Sequence, residues 1–343
     1  MTMTTGDPAS LPRRGWRERY FGWSGPAHPA PSPAPAAAPA GPGPTPEDAA
    51  IGRYIDELIA DGRHAFAVLR SAAEFVCEAD ASPAWEALSR QAALIPAGRM
   101  GLVRGDGARL LAEVPAFYLD RHAVTNRDFA RFVASGCYDA LELWPRDIWP
   151  ALLRFTDRTG HPGPAGWSRG AFPAEKADHP VVGVCWHEAS AYARWVGKRL
   201  PTAAEWQKAG GWPEHLGGDV GNRYPWGDLF DPARANLQAA GRGDTAPADA
   251  YPGGDTPNGI RQMTGNVWEW LDDPLDAVPC AEGESFRAWK PLRRIAGGAF
   301  DTYLIGEATC HFVTGQADLD RRPNIGFRCA LSVERLRDAP DTL

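Results

Sequence analysis

From Thr45 onward, apolar residues recur at three- and four-residue steps: Ile51, Ile55, Leu58, Ile59, Ala65, Phe66 and Leu69. That spacing marks one face of an amphipathic helix, with Gly62 as an interruption. A second helical stretch is expected around Trp85 to Ala92, leading into Ile95-Pro96-Ala97-Gly98. Phe117-Tyr118-Leu119-Asp120 reads as a strand end. Thr125-Asn126-Arg127-Asp128 has the spacing of a capping box ahead of Phe129, Phe132 and Val133. The hydroxyl takes an orphan amide at the helix start, and the acid answers the helix dipole. Val181 to Val184 reads as a short apolar strand. His187 to Val196 reads as a helix with Ala189, Tyr192, Ala193 and Val196 on one face. Thr202-Ala203-Ala204-Glu205 repeats the capping box, with Pro201 before the cap and Trp206 in the position of a hydrophobic staple. Residues 212–265 break the pattern, with little periodicity and turn signals such as Pro257-Asn258-Gly259. A stretch this irregular inside a compact domain calls for a special support, often a bound ion.

The pattern divides the chain into five parts. Residues 1–25 form a disordered segment around an Arg/aromatic island, Arg13 to Trp23. Residues 26–46 are a Pro/Ala-rich linker with nine prolines in 21 positions, a composition that acts as a semi-rigid tether. Residues 47–92 are a helical extension, 93–334 the main domain and 335–343 a tail. The island is either a docking peptide for a protein partner or a tail whose aromatics carry no role. Hydrophobic content of 44% is ample for a core, and 14 Trp with 37 Gly point to aromatics packed against tight turns. Lys+Arg 36 against Asp+Glu 43 gives a net charge of −7, which leaves no broad basic face and argues against nucleic acid as partner. No early apolar run follows a basic start, and none approaches membrane-spanning length, so a cytoplasmic setting without a membrane partner is expected. The six cysteines, Cys77, Cys137, Cys185, Cys280, Cys310 and Cys329, show no CxxC or metal-knuckle spacing.

Five signatures occur in a fixed order: Lys198 to Trp206, Tyr224-Pro225-Trp226-Gly227, Gly265-Asn266-Val267-Trp268-Glu269-Trp270, Gly297-Gly298-Ala299-Phe300 and Asn324-Ile325-Gly326-Phe327-Arg328-Cys329. Together they resemble the formylglycine-generating-enzyme (sulfatase-modifying factor) family over residues 93–334. The resemblance implies an α+β fold, irregular, related to C-type lectins, low in regular secondary structure and stabilised by Ca2+. Carried over position by position, one calcium site would use Gly265, Val267 and Glu269, with Gln262 where the family usually has Asn or Asp. A second would use Asn236, the carbonyl of Leu237 and Asp244. The competing reading is that Glu269 and Asn236 simply cap turns.

The resemblance fails where that family's chemistry resides. Its enzymes carry two cysteines five residues apart after the Gly-Gly turn, a thiolate pair suited to copper(I). Aligned from Gly297-Gly298, this chain has Thr302 and Glu307 at those positions. Cys329 would lack its customary partner, whose place Ala193 takes, and Cys310 is likewise unpaired. Formylglycine generation is therefore not expected. The segment offers other candidates: Asp301, Thr302, Glu307, Cys310 and His311. If residues 307–311 are helical, Glu307 and His311 share a face at i, i+4 and suit iron or copper. A non-haem iron site wants a second imidazole, for which His161, His179 and His187 are available. A related branch of iron-dependent sulfoxide synthases takes three histidines from a fused N-terminal helical bundle, where this chain has only His64. Arg328 and Trp268 are expected to line or underlie the same cleft. These features point to a metal- and O2-dependent oxidative tailoring enzyme acting on a peptide or small metabolite. The alternative is a non-catalytic ligand- or protein-binding module, in which Glu307 is a solvated charge and His311 a core residue.

Overall fold

The computed structural model describes residues 46–103, 109–212, 221–275, 278–279, 285–286 and 290–338. The Arg/aromatic island, the linker up to Thr45, the last five residues of the tail and Cys280 lie outside them. Helix α1 (Pro46–Ala60) buries Ile55 and Leu58, and the chain leaves it through Gly62 at φ +75°, a left-handed turn that favours glycine. Helix α2 (Glu78–Gln91) begins well before the Trp85 expected from the pattern. Its buried stripe is Ala81, Ala84, Trp85 and Leu88, and small alanines beside an internal Pro83 hide that periodicity. These helices share a hydrophobic cluster with Leu331 and Leu336 from the far end of the chain.

Strands β1 (Ala92–Ile95), β2 (Gly98–Val103), β3 (Arg109–Val114) and β4 (Phe117–Asp120) follow, with β2 and β3 paired as a hairpin. Helices α3 (Asn126–Ala134), α4 (Trp186–Trp195) and α5 (Ala203–Gly211) come next. Both expected capping boxes form. Thr125 Oγ1 accepts from Asp128 N at 3.2 Å, and Thr202 Oγ1 accepts from Glu205 N at 3.2 Å. Such a cap contributes about 1 kcal/mol. The expected strand at Val181–Val184 is absent. Val181 and Gly183 instead donate their amides to Val124 and Arg322, and Gly183 sits at φ +73°, which breaks an extended run. Helix α4 starts one residue earlier than expected, with Glu188 accepting from Cys185 N at 2.8 Å.

The remaining strands are β5 (Trp268–Pro274), β6 (Val278–Pro279), β7 (Ser285–Phe286), β8 (Leu292–Ala296), β9 (Val313–Ala317), β10 (Ile325–Gly326) and β11 (Ala330–Ser332). One sheet has the order β1-β4-β11, with Leu119 opposite both Ala93 and Ala330. The other has the order β10-β5-β8-β9, and β10 runs parallel to β5 with Ile325 opposite Trp268. Helices α3 and α4 meet in an aromatic core. Phe129 stacks on Tyr192 at 5.4 Å and meets Phe327 edge-on at 6.2 Å, while Phe132 meets Trp195 at 5.7 Å. Short strands, one-turn helices and long connections make this an irregular α+β fold. Among the described residues, no helix is long and apolar enough to cross a membrane.

Candidate functional site

Three of the sequence signatures converge on one buried ion pair. Glu269 accepts from Arg328 through both carboxylate oxygens, at 2.7 and 2.8 Å, and from the indole N–H of Trp206 at 2.8 Å. Arg328 spends its remaining N–H groups on the carbonyls of Asp120, Arg121 and Arg261. The parallel pairing of β10 with β5 sets the two partners side by side, and Arg328 is 0% exposed. Of the two expectations for Arg328, lining or underlying the cleft, the enclosure excludes the first: it is fully buried, and only a saturated fork of hydrogen bonds makes a buried guanidinium tolerable. Trp268 is also buried, with its ring 6.1 Å from that of Phe312.

The segment between β8 and β9 folds back over this base. Gly298 has φ +75°, and a Cβ there would come within 2.9 Å of the Ala308 side chain, so glycine permits the close return. Thr302, at the first position of the missing cysteine pair, is buried. Its hydroxyl accepts from Ala299 N at 2.8 Å, and its carbonyl accepts from Gln238 N. Asp301 is exposed and held by the side-chain amide of Asn324 at 3.0 and 3.1 Å.

Residues Ile305–Glu307 form a single 3-10 turn that ends at Ala308, so no helix runs to residue 311. Glu307 and His311 therefore do not share a helical face, and the geometry that made them a ligand pair is not formed. The His311 ring bonds to the backbone of Gly221 beside Arg223 and Asp228, and burial lowers its pKa. Glu307 is half-buried. His187 faces Asp318 at 3.3 Å, His179 faces Thr245 at 2.9 Å, and His161 faces Thr159 at 3.1 Å. Among the described residues no three His, Cys, Asp or Glu side chains are grouped to hold a metal, so a redox ion at Glu307 and His311 does not fit. Cys310 and Cys329 are fully enclosed, and burial pushes both thiols far from thiolate formation. The pattern gave no notice of Tyr303, Leu304 and Ile305, which stand 80%, 56% and 41% exposed on the same segment. Three bulky apolar residues in a row outside any periodic stretch were the available signal.

The two calcium positions differ in fit. At the first, Glu269 is fully committed to Arg328 and Trp206, and Gln262 Oε1 accepts from Asn266 Nδ2 at 2.6 Å. The Gln262 amide also donates to the carbonyls of Pro247 and Ala250. With its carboxylate neutralised and its amide oxygen occupied, the set Gln262, Gly265, Val267 and Glu269 does not fit a dication. The departure is electrostatic: a guanidinium already supplies the positive charge. At the second, Asn236 Oδ1 is buried with no hydrogen-bond partner, an acceptor that suits a cation. Asp244 turns elsewhere, taking the Lys176 ammonium at 2.6 Å and Thr245 N at 2.7 Å, and the Leu237 carbonyl accepts from Ala240 N.

The sulfatase-modifying factor enzyme 1-like domain matches residues 79–333. This chain belongs to that family. It is 32% identical over 285 residues to the formylglycine-generating enzyme of Streptomyces coelicolor, covering 69% of this chain and 87% of that protein. It is 36% identical over 178 residues to the hercynine oxygenase of Mycobacterium tuberculosis, covering 49% of this chain and only 40% of that protein. Among solved structures, PvdO from Pseudomonas aeruginosa covers 70% of this family member at 23% identity with a TM-score of 0.46, and 93% of PvdO is covered in return.

Proposed function

We propose that this family member is an oxidative tailoring enzyme acting on a small metabolite or peptide at the segment that follows Gly298. It is not a copper/cysteine formylglycine generator. The observation that carries this reading is that a buried Thr302 and a half-buried Glu307 stand where the family resemblance expects a thiolate pair, above the enclosed Glu269–Arg328 base, with Cys310 and Cys329 sealed away as neutral thiols. Similarity to hercynine oxygenases supports an oxidation, but the chain spans two-fifths of the length of the one compared above. Within the chain, Thr302 fixes the backbone of the segment, Asn324 orients the Asp301 carboxylate, and Glu307 and Asp301 are the groups available to hold or pass a proton. Iron or copper would supply the oxygen chemistry, and no step is assigned to it because the described residues present no matching donor set.

The test is metal analysis and oxygen consumption of the anaerobically purified full chain, beside Glu307→Gln and His311→Ala. Near-stoichiometric iron or copper with oxygen uptake supports the enzyme. Neither would leave the alternative, a ligand-binding module, favoured by the exposed Tyr303-Leu304-Ile305 run. Production of formylglycine from a cysteine peptide would overturn the exclusion. We also propose a single calcium ion at Asn236 Oδ1 and the Leu237 carbonyl, where it would pin the loop to residues 244–246. Removing it with EGTA should lower Tm by a few degrees, roughly the effect of 1 kcal/mol. An unchanged Tm would retire that site.

A further inference from the structure

A cavity of about 390 Å3 lies where the chain leading into α2 meets the residues after β11, and it shares no residue with the segment after Gly298. Its wall is Arg70, Ala73, Val76, Cys77 and Glu78 on one side, with Arg337 and Asp338 on the other. Backbone contacts join the two sides: Leu69 bridges Leu336, and Arg337 N donates to the Val68 carbonyl at 3.1 Å. The two arginines cross that joint. Arg70 Nε donates to the Leu336 carbonyl at 2.7 Å, and Arg337 Nη1 donates to the Val76 carbonyl at 2.9 Å. The Arg337 guanidinium is thereby held at one corner, while its Nε and Nη2 are enclosed and have no acceptor. Buried donors are nearly always satisfied, so an unused pair on a fixed guanidinium marks a place for an acceptor.

The edge says which acceptor. Nε and Nη2 aim their N–H groups side by side, a spacing that matches the two oxygens of a carboxylate. The chain uses this edge twice more with that partner. Arg328 gives Nε and Nη2 to Glu269 at 2.8 and 2.7 Å, and Arg321 gives them to Glu188 at 2.9 and 3.0 Å. Arg337 presents the same edge without an internal carboxylate on it. Glu78 and Asp338 line the cavity too, both exposed, and neither pairs with Arg70 or Arg337. Asp80, in the same helical turn as Glu78, accepts from the Cys77 thiol at 2.9 Å. The formal charges of the wall therefore cancel, Arg70 and Arg337 against Glu78 and Asp338, and the unfilled donor edge selects the ligand rather than net charge. Ala73 and Val76 supply the apolar part of the wall.

We propose that this cavity binds a small organic acid, with its carboxylate on the Nε–Nη2 edge of Arg337, Arg70 beside it, and a short apolar stem against Ala73 and Val76. Bound there, the acid ties the helical extension to the end of the chain. Cys77 is exposed and lines the same cavity, so its thiol reports occupancy. The test alkylates the full chain with neutral iodoacetamide in the presence of butyrate, n-butylamine or inorganic phosphate, and follows the Cys77 peptide by mass spectrometry. Butyrate should slow the reaction several-fold at concentrations where butylamine does not, and should raise Tm. Arg337→Lys keeps the charge and loses the fork, and should weaken butyrate about ten-fold. If that variant lowers the Tm of the unliganded chain, Arg70→Gln at an exposed position takes its place, with a loss of about three-fold expected. Glu78→Gln with Asp338→Asn should leave butyrate binding as tight or tighter. Protection by butylamine would mean that the carboxylates rule the cavity, and stronger protection by phosphate would put a different oxyanion on the fork. Either result, no protection by butyrate, or wild-type affinity in the arginine variant would overturn the proposal.

Discussion

Arg328 and Glu307 are both charged residues set close to family signatures, and the molecule treats them in opposite ways. Arg328 lies at zero exposure with its donors spent on Glu269 and three carbonyls. Glu307 closes a one-turn helix at the half-buried edge of the segment. A charge that is enclosed must be saturated, because its desolvation costs several kcal/mol. A charge left at a boundary is available to something outside the chain. The first region therefore ties three signatures of the fold together, and the second leaves a carboxylate at the surface of the segment.

The largest effect should come from breaking the enclosed pair. Arg328→Met leaves the Glu269 carboxylate buried without its cation, and about 3–5 kcal/mol of stability should disappear in a urea titration. A loss under 1 kcal/mol would mean that the pair is dispensable. A second break uses acid. His64 is fully enclosed with neither ring nitrogen bonded; burial, then Lys198 and Arg90, lower its pKa from 6.5 to about 3. The folded state holds the neutral ring, so this contribution is whole above pH 6.5. It is lost as pH falls from 6.5 towards 3, at about 1.4 kcal/mol per pH unit. His64→Leu should flatten that part of the stability profile, and an unchanged slope would assign the acid loss to other groups. The amide chain is the third. Gln262→Ala removes one of two partners from Asn266 Nδ2 and from the Pro247 carbonyl, and the side-chain donor to the Ala250 carbonyl, and should cost about 1–3 kcal/mol, read as a lower urea midpoint. At the other pole, Glu307→Gln and Leu304→Ser should shift stability by no more than about 0.5 kcal/mol. A larger shift in either would show that the segment is part of the core after all.

The two regions were also unequally legible. Thr125, Thr202 and the apolar face of α1 act through local spacing, and local spacing is what a sequence displays directly. Val181–Val184 was misread because a strand needs a neighbour as well as an apolar run, and Gly183 turns the chain away from one. Arg328 could be read as lining or underlying the cleft, because a guanidinium in a signature has two explanations in one dimension; its saturated enclosure with Glu269 leaves one in three. The Glu307/His311 pair depended on a helix that a glycine at 306 and a single 3-10 turn replace. Asn324, which orients Asp301 across an intervening strand, could not be found by spacing at all.

The placement of β4 has a consequence for how the domain is made. Phe117–Asp120 is the middle strand of its sheet, and its outer partner, β11, is completed only at Ser332; the Asp120 carbonyl waits for Arg328, 208 positions later. At ordinary translation speeds of 5–20 residues per second, that gap corresponds to roughly 10–40 s. Throughout it, one edge of an apolar strand has no mate, and over its last 59 positions Glu269 is an acid without its base. The N-terminal half thus carries an open strand edge until the last signature emerges.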